Sequence, residues 1–121
     1  MWRMPIREHE FGRIGLLAEL PGEQLLKLSE RMRREQVPAG ATVVREGEDG
    51  DRFYVVLSGM LSVSQDARGE RRVLRPGDYF GEVALAMNMP RTASVRALTP
   101  SVVASCDREA FDEFVRPLFS E

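Results

Sequence analysis

Hydrophobic and polar positions change their period along this chain, and the changes separate helical parts from strand-forming parts. In residues 22–34 the leucines and a methionine recur at helical spacing with charged residues between them, which predicts an amphipathic helix. Between residues 42 and 106 the apolar residues alternate with polar ones or form short β-branched and aromatic runs, which predicts strands. After Asp107, a favourable N-cap, helical spacing returns on an apolar face of Phe111, Phe114, Val115, Leu118 and Phe119.

Turn sequences divide the middle of the chain into short strands. Residues 66–69, Asp-Ala-Arg-Gly, predict a hairpin turn, and a short helix over residues 81–87 interrupts the strands. We predict a mainly β domain with flanking helices over residues 11–121, an antiparallel jelly-roll-like barrel, preceded by a flexible arm over residues 1–10. The predicted strands are 42–46, 53–58, 61–64, 71–75, 94–98 and 102–106.

Composition narrows the class of protein. The chain has 121 residues, of which 43% are hydrophobic and 30% charged, which is typical of one globular domain. A net charge of −2 gives no electrostatic footprint for nucleic acid, and no apolar run is long enough to cross a membrane. The single cysteine, Cys106, cannot form an internal disulfide, which fits a cytoplasmic protein. Because it alternates with residues 102 and 104, Cys106 is predicted to be a small core residue.

Candidate chemistry is concentrated in residues 80–95. The turn Pro76-Gly77-Asp78 precedes this stretch, and Gly81 opens its short helix. The first turn of a helix has unpaired N–H groups that favour an anion, and a glycine there lets a ligand approach the backbone. Arg91 supplies a guanidinium suited to a phosphate, while Glu82 can bind a hydroxyl of the same ligand. Together these features indicate a ribose phosphate.

The same stretch resembles the phosphate-binding cassette of the cyclic nucleotide-binding domain family, which includes the catabolite activator protein and the regulatory subunits of cyclic-AMP-dependent kinase. The cassette pattern is roughly F-G-E, a few small or apolar residues, a short variable run, and then P-R-x-A-[ST]-V. The turn run of residues 47–54 also resembles the family, and the likeness extends over residues 11–120. The fixed cassette positions are matched by Phe80, Gly81, Glu82, Ala84, Leu85, Pro90, Arg91, Ala93, Ser94 and Val95.

The resemblance implies a role for each matching side chain. Glu82 would accept the ribose 2′-hydroxyl, Arg91 would pair with the exocyclic phosphate oxygens, and Thr92 can touch both the phosphate and a purine. Backbone N–H groups near the small residues Ala84 and Ala93 would complete the anion site. With apolar walls added, the implied ligand-binding set is Val63, Phe80, Gly81, Glu82, Val83, Ala84, Arg91, Thr92 and Ala93.

The implied function is that of a non-catalytic sensor for cyclic AMP or cyclic GMP, without a metal or a catalytic residue. Occupancy would be transmitted through the C-terminal helix to an attached effector or a partner protein. We expect no nucleic acid and no membrane as partners of this chain, and a homodimer is left open. Family members usually continue into a further helix that caps the base, whereas this chain stops at Glu121. We therefore expect an open purine pocket, in the sensor part of a larger protein or in a minimal binder.

Other interpretations compete with this one. Glu82 and Arg91 would ordinarily be two solvated surface charges, and Thr92 can be a strand residue with high β-propensity. A degenerate family member would act as a protein-interaction or dimerisation module without nucleotide. A metal-dependent enzyme on a similar barrel needs several histidine and carboxylate ligands, but His9 is the only histidine. Sensing through haem or an iron–sulfur cluster needs axial ligands or several cysteines, which one cysteine and one histidine do not supply. A nucleotide hydrolase needs a metal or a base beside the cassette, and the sequence offers neither there.

Overall fold

The structure is a computed structural model that describes residues 14–119, so the predicted arm over residues 1–10 lies outside the described residues. A 3₁₀ turn (Leu17–Glu19) and helix α1 (Gly22–Arg31) precede the sheets. Within the described residues the eight strands are β1 (Arg33–Val37), β2 (Thr42–Val44), β3 (Arg52–Ser58), β4 (Leu61–Gln65), β5 (Gly69–Leu74), β6 (Tyr79–Phe80), β7 (Ser94–Ala97) and β8 (Ser101–Asp107).

Two helical elements follow β6 and β8. Helix α2 (Glu82–Ala86) lies between β6 and β7. The C-terminal helix comprises α3 (Arg108–Ala110), a π-helical turn (Phe111–Val115) and a 3₁₀ turn (Arg116–Phe119). Asp107 Oδ1 accepts a hydrogen bond from the Ala110 N–H at 2.9 Å, which confirms the predicted N-cap. Among the described helices, none is both long enough and apolar enough to span a membrane.

The strands form two four-stranded antiparallel sheets, in the orders β1-β8-β3-β6 and β2-β7-β4-β5. This arrangement confirms the predicted jelly-roll-like fold. The hairpin of β4 and β5 is also confirmed, because Gln65 pairs with Gly69 and Gly69 has a φ of 70°. The six predicted strands agree with the observed ones to within two residues at each end.

The core has two parts, one on each face of β3. Phe53 and Val55 point toward the helices and pack with Leu28 and Phe111, and the rings of Phe53 and Phe111 lie 5.5 Å apart. The alternate residues of β3 point between the sheets, where they pack with residues such as Leu61, Phe80 and Val95. Burial on both faces explains why β3 is a continuous apolar run. Cys106 is fully buried in the helix-facing part, as predicted.

The predicted helix over residues 22–34 is wrong at its end. Helix α1 ends at Arg31, and Met32 already has extended backbone angles (φ −89°, ψ 145°). Residues from Arg33 onward form β1, which pairs with β8 along its whole length. Only Val37 of β1 is buried, so no alternation of apolar residues marked this edge strand. Pairing with β8 therefore outweighs the local helical preference.

Candidate functional site

Helix α2 begins directly after Gly81, whose φ of 93° lies in the left-handed region that favours glycine. Strand β6 ends at Phe80, so the chain passes from sheet to helix at this one residue. A Cβ atom at Gly81 would lie 2.8 Å from Arg91 Nη1 and 3.0 Å from the Arg52 carbonyl oxygen. Both the backbone angle and the close approach of Arg91 therefore require glycine at position 81.

A pocket of about 170 Å³ opens beside α2 and will be called the cassette pocket. All nine residues predicted from the sequence to bind a ligand line this pocket. Three further residues, Val44, Arg72 and Val95, line it from β2, β5 and β7. The fold thus brings Val63 of β4 next to residues of the cassette that lie far from it in the sequence.

Arg91 is the buried cation of the cassette pocket, with only 6% of its surface exposed. Its guanidinium donates hydrogen bonds to two carbonyl oxygens, from Nη1 to Gly81 at 3.0 Å and from Nη2 to Arg52 at 2.8 Å. Among the described residues, no carboxylate forms an ion pair with Arg91. Burial lowers the pKa of Arg91, and the nearby Tyr54, Asp51 and Glu82 raise it in part, although neither carboxylate is close enough to form an ion pair. A buried cation without a carboxylate partner is an arrangement that an anionic ligand would stabilise.

An aromatic pair lies next to this cation. The rings of Tyr54 and Phe80 stack with centroids 4.8 Å apart and planes 2° from parallel. Arg91 Cζ lies 5.9 Å from the centroid of the Tyr54 ring, within the range of a cation–π interaction. Burial raises the pKa of the Tyr54 phenol, whereas the charge of Arg91 lowers it. The ring therefore remains neutral near pH 7 and provides a fixed apolar support for the guanidinium.

The loop before β3 (residues 45–51) also contacts Arg91. This contact was not apparent from the sequence. The main chain of Arg91 is bonded to this loop twice, through Gly47 N–H to Arg91 O at 2.8 Å and Arg91 N–H to Glu48 O at 2.9 Å. A Cβ atom at Gly50 would lie 2.5 Å from Arg91 Nε and 2.6 Å from Arg91 Cζ. Gly50 is therefore needed for its small size.

The acid and the small residues of the cassette line the pocket beside Arg91. Glu82 is the first residue of α2 and half-buried, so its carboxylate can meet a ligand at the pocket wall. Ala84 is only 2% exposed, and Ala93, directly before β7, is half-buried. Larger side chains at these two positions would reduce the space next to Arg91.

Thr92 and Arg72 are the polar residues at the outer part of the pocket. Thr92 is exposed, and its carbonyl oxygen accepts a hydrogen bond from Gln65 Nε2 at 3.0 Å. Arg72 of β5 is exposed and lies directly across from Val63 of β4 in the hairpin register. No sequence pattern pointed to Arg72. Unbroken pairing after the hairpin turn would place Arg71 opposite Val63, but the register shifts between Val63 and Ser64 and brings Arg72 there. No sequence signal marks this shift.

Among residues 14–119, no group of three or more histidine, cysteine, aspartate or glutamate residues is arranged to hold a metal ion. Cys106 is buried, and burial raises the pKa of its thiol to about 12. Its thiol therefore stays protonated at neutral pH and does not belong to the cassette pocket.

Comparison with known proteins identifies relatives over most of the chain. The family model described as Cyclic nucleotide-binding domain matches residues 34–117. The chain is 38% identical over 104 residues to the cAMP-dependent protein kinase regulatory subunit of Debaryomyces hansenii, covering 86% of this chain and 23% of that protein. It is 35% identical over 112 residues to the cGMP-dependent protein kinase egl-4 of Caenorhabditis briggsae, covering 88% of this chain and 15% of that protein.

A solved structure extends the comparison to three dimensions. The regulatory domain of Toxoplasma gondii PKA, determined with cAMP, is similar with a TM-score of 0.88 and 29% identity, covering 92% of this chain and 44% of that one. These matches confirm the resemblance that residues 80–95 indicated. The chain spans less than a quarter of the length of the two relatives named above.

Proposed function

The chain belongs to the cyclic nucleotide-binding domain family, and on that premise we propose that it is a non-catalytic sensor domain that binds cyclic AMP or cyclic GMP. The observation that carries the proposal is the buried guanidinium of Arg91, which lines a pocket and has no carboxylate partner among the described residues. A cyclic phosphate carries one negative charge and would supply that partner.

The sugar phosphate would be bound by the inner part of the pocket. Arg91 would donate to the exocyclic phosphate oxygens, and the glycine at position 81 lets the Arg91 guanidinium lie close to the start of α2. Glu82 at the same helix start would accept a hydrogen bond from the ribose 2′-hydroxyl. A linear 5′-monophosphate carries a second charge and lacks the ring that presents both groups at once, so it should bind more weakly.

The purine would extend toward Thr92 and Arg72. The Thr92 hydroxyl can contact both the phosphate and a purine, and the Arg72 guanidinium has two parallel donors that suit the O6 and N7 acceptors of guanine. Adenine presents an acceptor and a donor on the same edge, which matches a guanidinium less well. We therefore propose that cyclic GMP gains more from these two residues than cyclic AMP does.

The output would be regulatory. The relatives named above are a regulatory subunit of a cAMP-dependent kinase and a cGMP-dependent kinase, so a kinase catalytic module is the proposed effector, in the same polypeptide or as a partner protein. Transmission would run through the C-terminal helix, which contacts α2. We propose a cytoplasmic location on the basis of the same relatives and of the unpaired Cys106.

Calorimetry with cyclic AMP, cyclic GMP and 5′-AMP tests the proposal, with Arg91→Ala and Thr92→Ala as paired variants. At a hundred times Kd a cyclic nucleotide stabilises the fold by about 2.7 kcal/mol, which raises Tm by roughly 10 °C for a domain of this size. Arg91→Ala should cost about 3–5 kcal/mol of binding free energy because a partly buried phosphate loses its counter-charge.

Thr92→Ala should cost about 1 kcal/mol, and more for cyclic GMP than for cyclic AMP. Equal losses for the two variants would mean that backbone amides hold the phosphate. Absence of heat and of a Tm shift at millimolar cyclic nucleotide would instead favour the interaction or dimerisation module.

A further inference from the structure

We propose that Arg108 is a positioning residue that links the C-terminal helix to the loop that packs against Arg91. The inference rests on the proposed function. Arg108 is half-buried and opens the C-terminal helix. It donates from Nη1 to the carbonyl oxygen of Leu85 and from Nη2 to the carbonyl oxygen of Gly50, both at 3.2 Å. One guanidinium thus bridges the last turn of α2 and the loop before β3. Arg108 does not line the cassette pocket, so any effect on the ligand must pass through these two segments.

Gly50 is the direct contact between this bridge and Arg91. The residue is buried, and its Cα faces the Arg91 side chain so closely that an added Cβ would lie 2.5 Å from Arg91 Nε. Two residues earlier in the same loop, Glu48 accepts a hydrogen bond from the Arg91 N–H. The loop therefore holds both the main chain and the side chain of Arg91, while Arg108 holds the loop from outside the pocket.

The second end of the bridge is the carboxyl end of α2. The N–H groups of Met87 and Met89 bond to Val83 O and Ala84 O, whereas Leu85 O receives its hydrogen bonds from arginine side chains. A cation at this end of a helix is favourable, and it fixes α2 against the C-terminal helix.

Arg116 provides a comparison within the same molecule. It donates to Leu85 O at 3.0 Å and to Ala86 O at 3.1 Å, so it also holds the end of α2. Neither of these bonds reaches the loop before β3. Arg108 joins α2 to the wall behind Arg91, and the two arginines should therefore affect the ligand site differently.

The physical consequence is a coupling between the position of the C-terminal helix and the binding of a phosphate. A displacement of the helix start from the barrel would break the bonds to Gly50 and Leu85 together, and Arg91 would lose the support of one wall. By linkage, a phosphate bound to Arg91 must stabilise the docked position of the C-terminal helix by the same free energy with which the docked helix stabilises phosphate binding. Arg108 is thus assigned the role of transmitting this coupling.

Amide hydrogen exchange and calorimetry on the 121-residue chain test the inference, with Arg108→Ala, Arg108→Lys and Arg116→Ala compared with the parent. In the free protein, Arg108→Ala should accelerate exchange of the Gly47 and Arg91 amides, which join the loop to the cassette. Arg116→Ala should leave both amides unchanged. Arg108→Ala should also weaken cyclic nucleotide binding by about tenfold, within the usual range of coupling between sites.

A double-mutant cycle separates coupling from general destabilisation. If Arg108 acts through Arg91, adding Arg108→Ala to Arg91→Ala should cost little further affinity. An undiminished tenfold loss in the Arg91→Ala background, or equal acceleration of the two amides by Arg116→Ala, would overturn the inference. If Arg108→Ala does not fold, Arg108→Lys tests the inference instead, because one ammonium group cannot bond to both carbonyl oxygens in the way that a guanidinium does. Unchanged exchange at the Gly47 and Arg91 amides in Arg108→Lys would also overturn the inference.

The exchange experiment needs no ligand, so it distinguishes this inference from the proposed function. A parent chain that binds neither cyclic nucleotide would overturn the proposed function and, with it, the role of Arg108 in binding. Accelerated exchange in Arg108→Ala would then show only that the bridge holds the loop.

Discussion

The two faces of β3 are buried to a similar extent but support different properties of the molecule. Phe53 and Val55 face the helices and pack in the apolar cluster on that side. One residue along, Tyr54 faces between the sheets, stacks on Phe80 and lies beside the guanidinium of Arg91. Alternate residues of one strand thus separate packing from the proposed binding site. Substitutions on the helix-facing side should change the free energy of unfolding, and those around Arg91 should change affinity.

The strongest test of this separation is Phe53→Ala. Phe53 is fully buried and its ring contacts Phe111 and Tyr79 at centroid distances of 5.5 and 5.9 Å. Its removal leaves a cavity, so the free energy of unfolding should fall by about 3–5 kcal/mol, as measured by urea denaturation. Phe53 does not line the cassette pocket, so calorimetry on the folded molecules should give the parent Kd as long as the Arg108 bonds to Gly50 and Leu85 are kept. A Kd that rises in step with the loss of stability would show that the two faces are not separate.

Gly50→Ala tests the surroundings of Arg91, where we expect a substitution to lower affinity. The new methyl group meets Arg91 Nε at 2.5 Å, so the guanidinium must move, and affinity for a cyclic nucleotide should fall by about tenfold, or ~1.4 kcal/mol. Gly22→Ala is the matched control, because no atom lies within 4 Å of a Cβ built there. Loss of affinity in both variants would show that the effect does not come from the contact between position 50 and Arg91.

The smallest expected effect concerns Cys106, which lies on the helix-facing side. Because burial raises its pKa from 9.0 to about 12, the folded state keeps the thiol proton at pH values where the unfolded chain loses it. The free energy of unfolding should therefore fall as pH rises from 7 to 9.5, by about 0.8 kcal/mol in all. Denaturation of Cys106→Ala across this range should show a shallower fall. An identical pH dependence in the two proteins would assign the effect to other groups, such as Tyr54.

Much of the fold was predictable because burial leaves a pattern in the sequence. The run of β3 and the alternation in β4 indicated strands, and Asp107 indicated the start of the C-terminal helix. Strand β1 was not predictable in this way, because it is held by main-chain pairing with β8 and buries only Val37. A strand at a sheet edge with charged side chains has little local signal.

The candidate site likewise contains residues that the sequence indicated and residues that it did not. Its cassette residues are close in sequence, so spacing alone grouped Gly81, Glu82 and Arg91. Arg72 depends on the register of a hairpin, and Gly50 and Arg108 depend on the approach of segments more than fifty residues apart. No periodicity encodes such approaches, because they arise only when the sheets and the C-terminal helix pack.

The charged edge strands also affect how this domain behaves at high concentration. Within residues 14–119, β1 and β5 are the longer strands that end the two sheets, and their exposed side chains include Arg33, Glu35, Glu70 and Arg71. Joining a second copy by strand pairing would bring these charges together and strip them of water. We therefore expect the domain to resist intermolecular sheet extension and aggregation, and any self-association to use side-chain surfaces away from these edges.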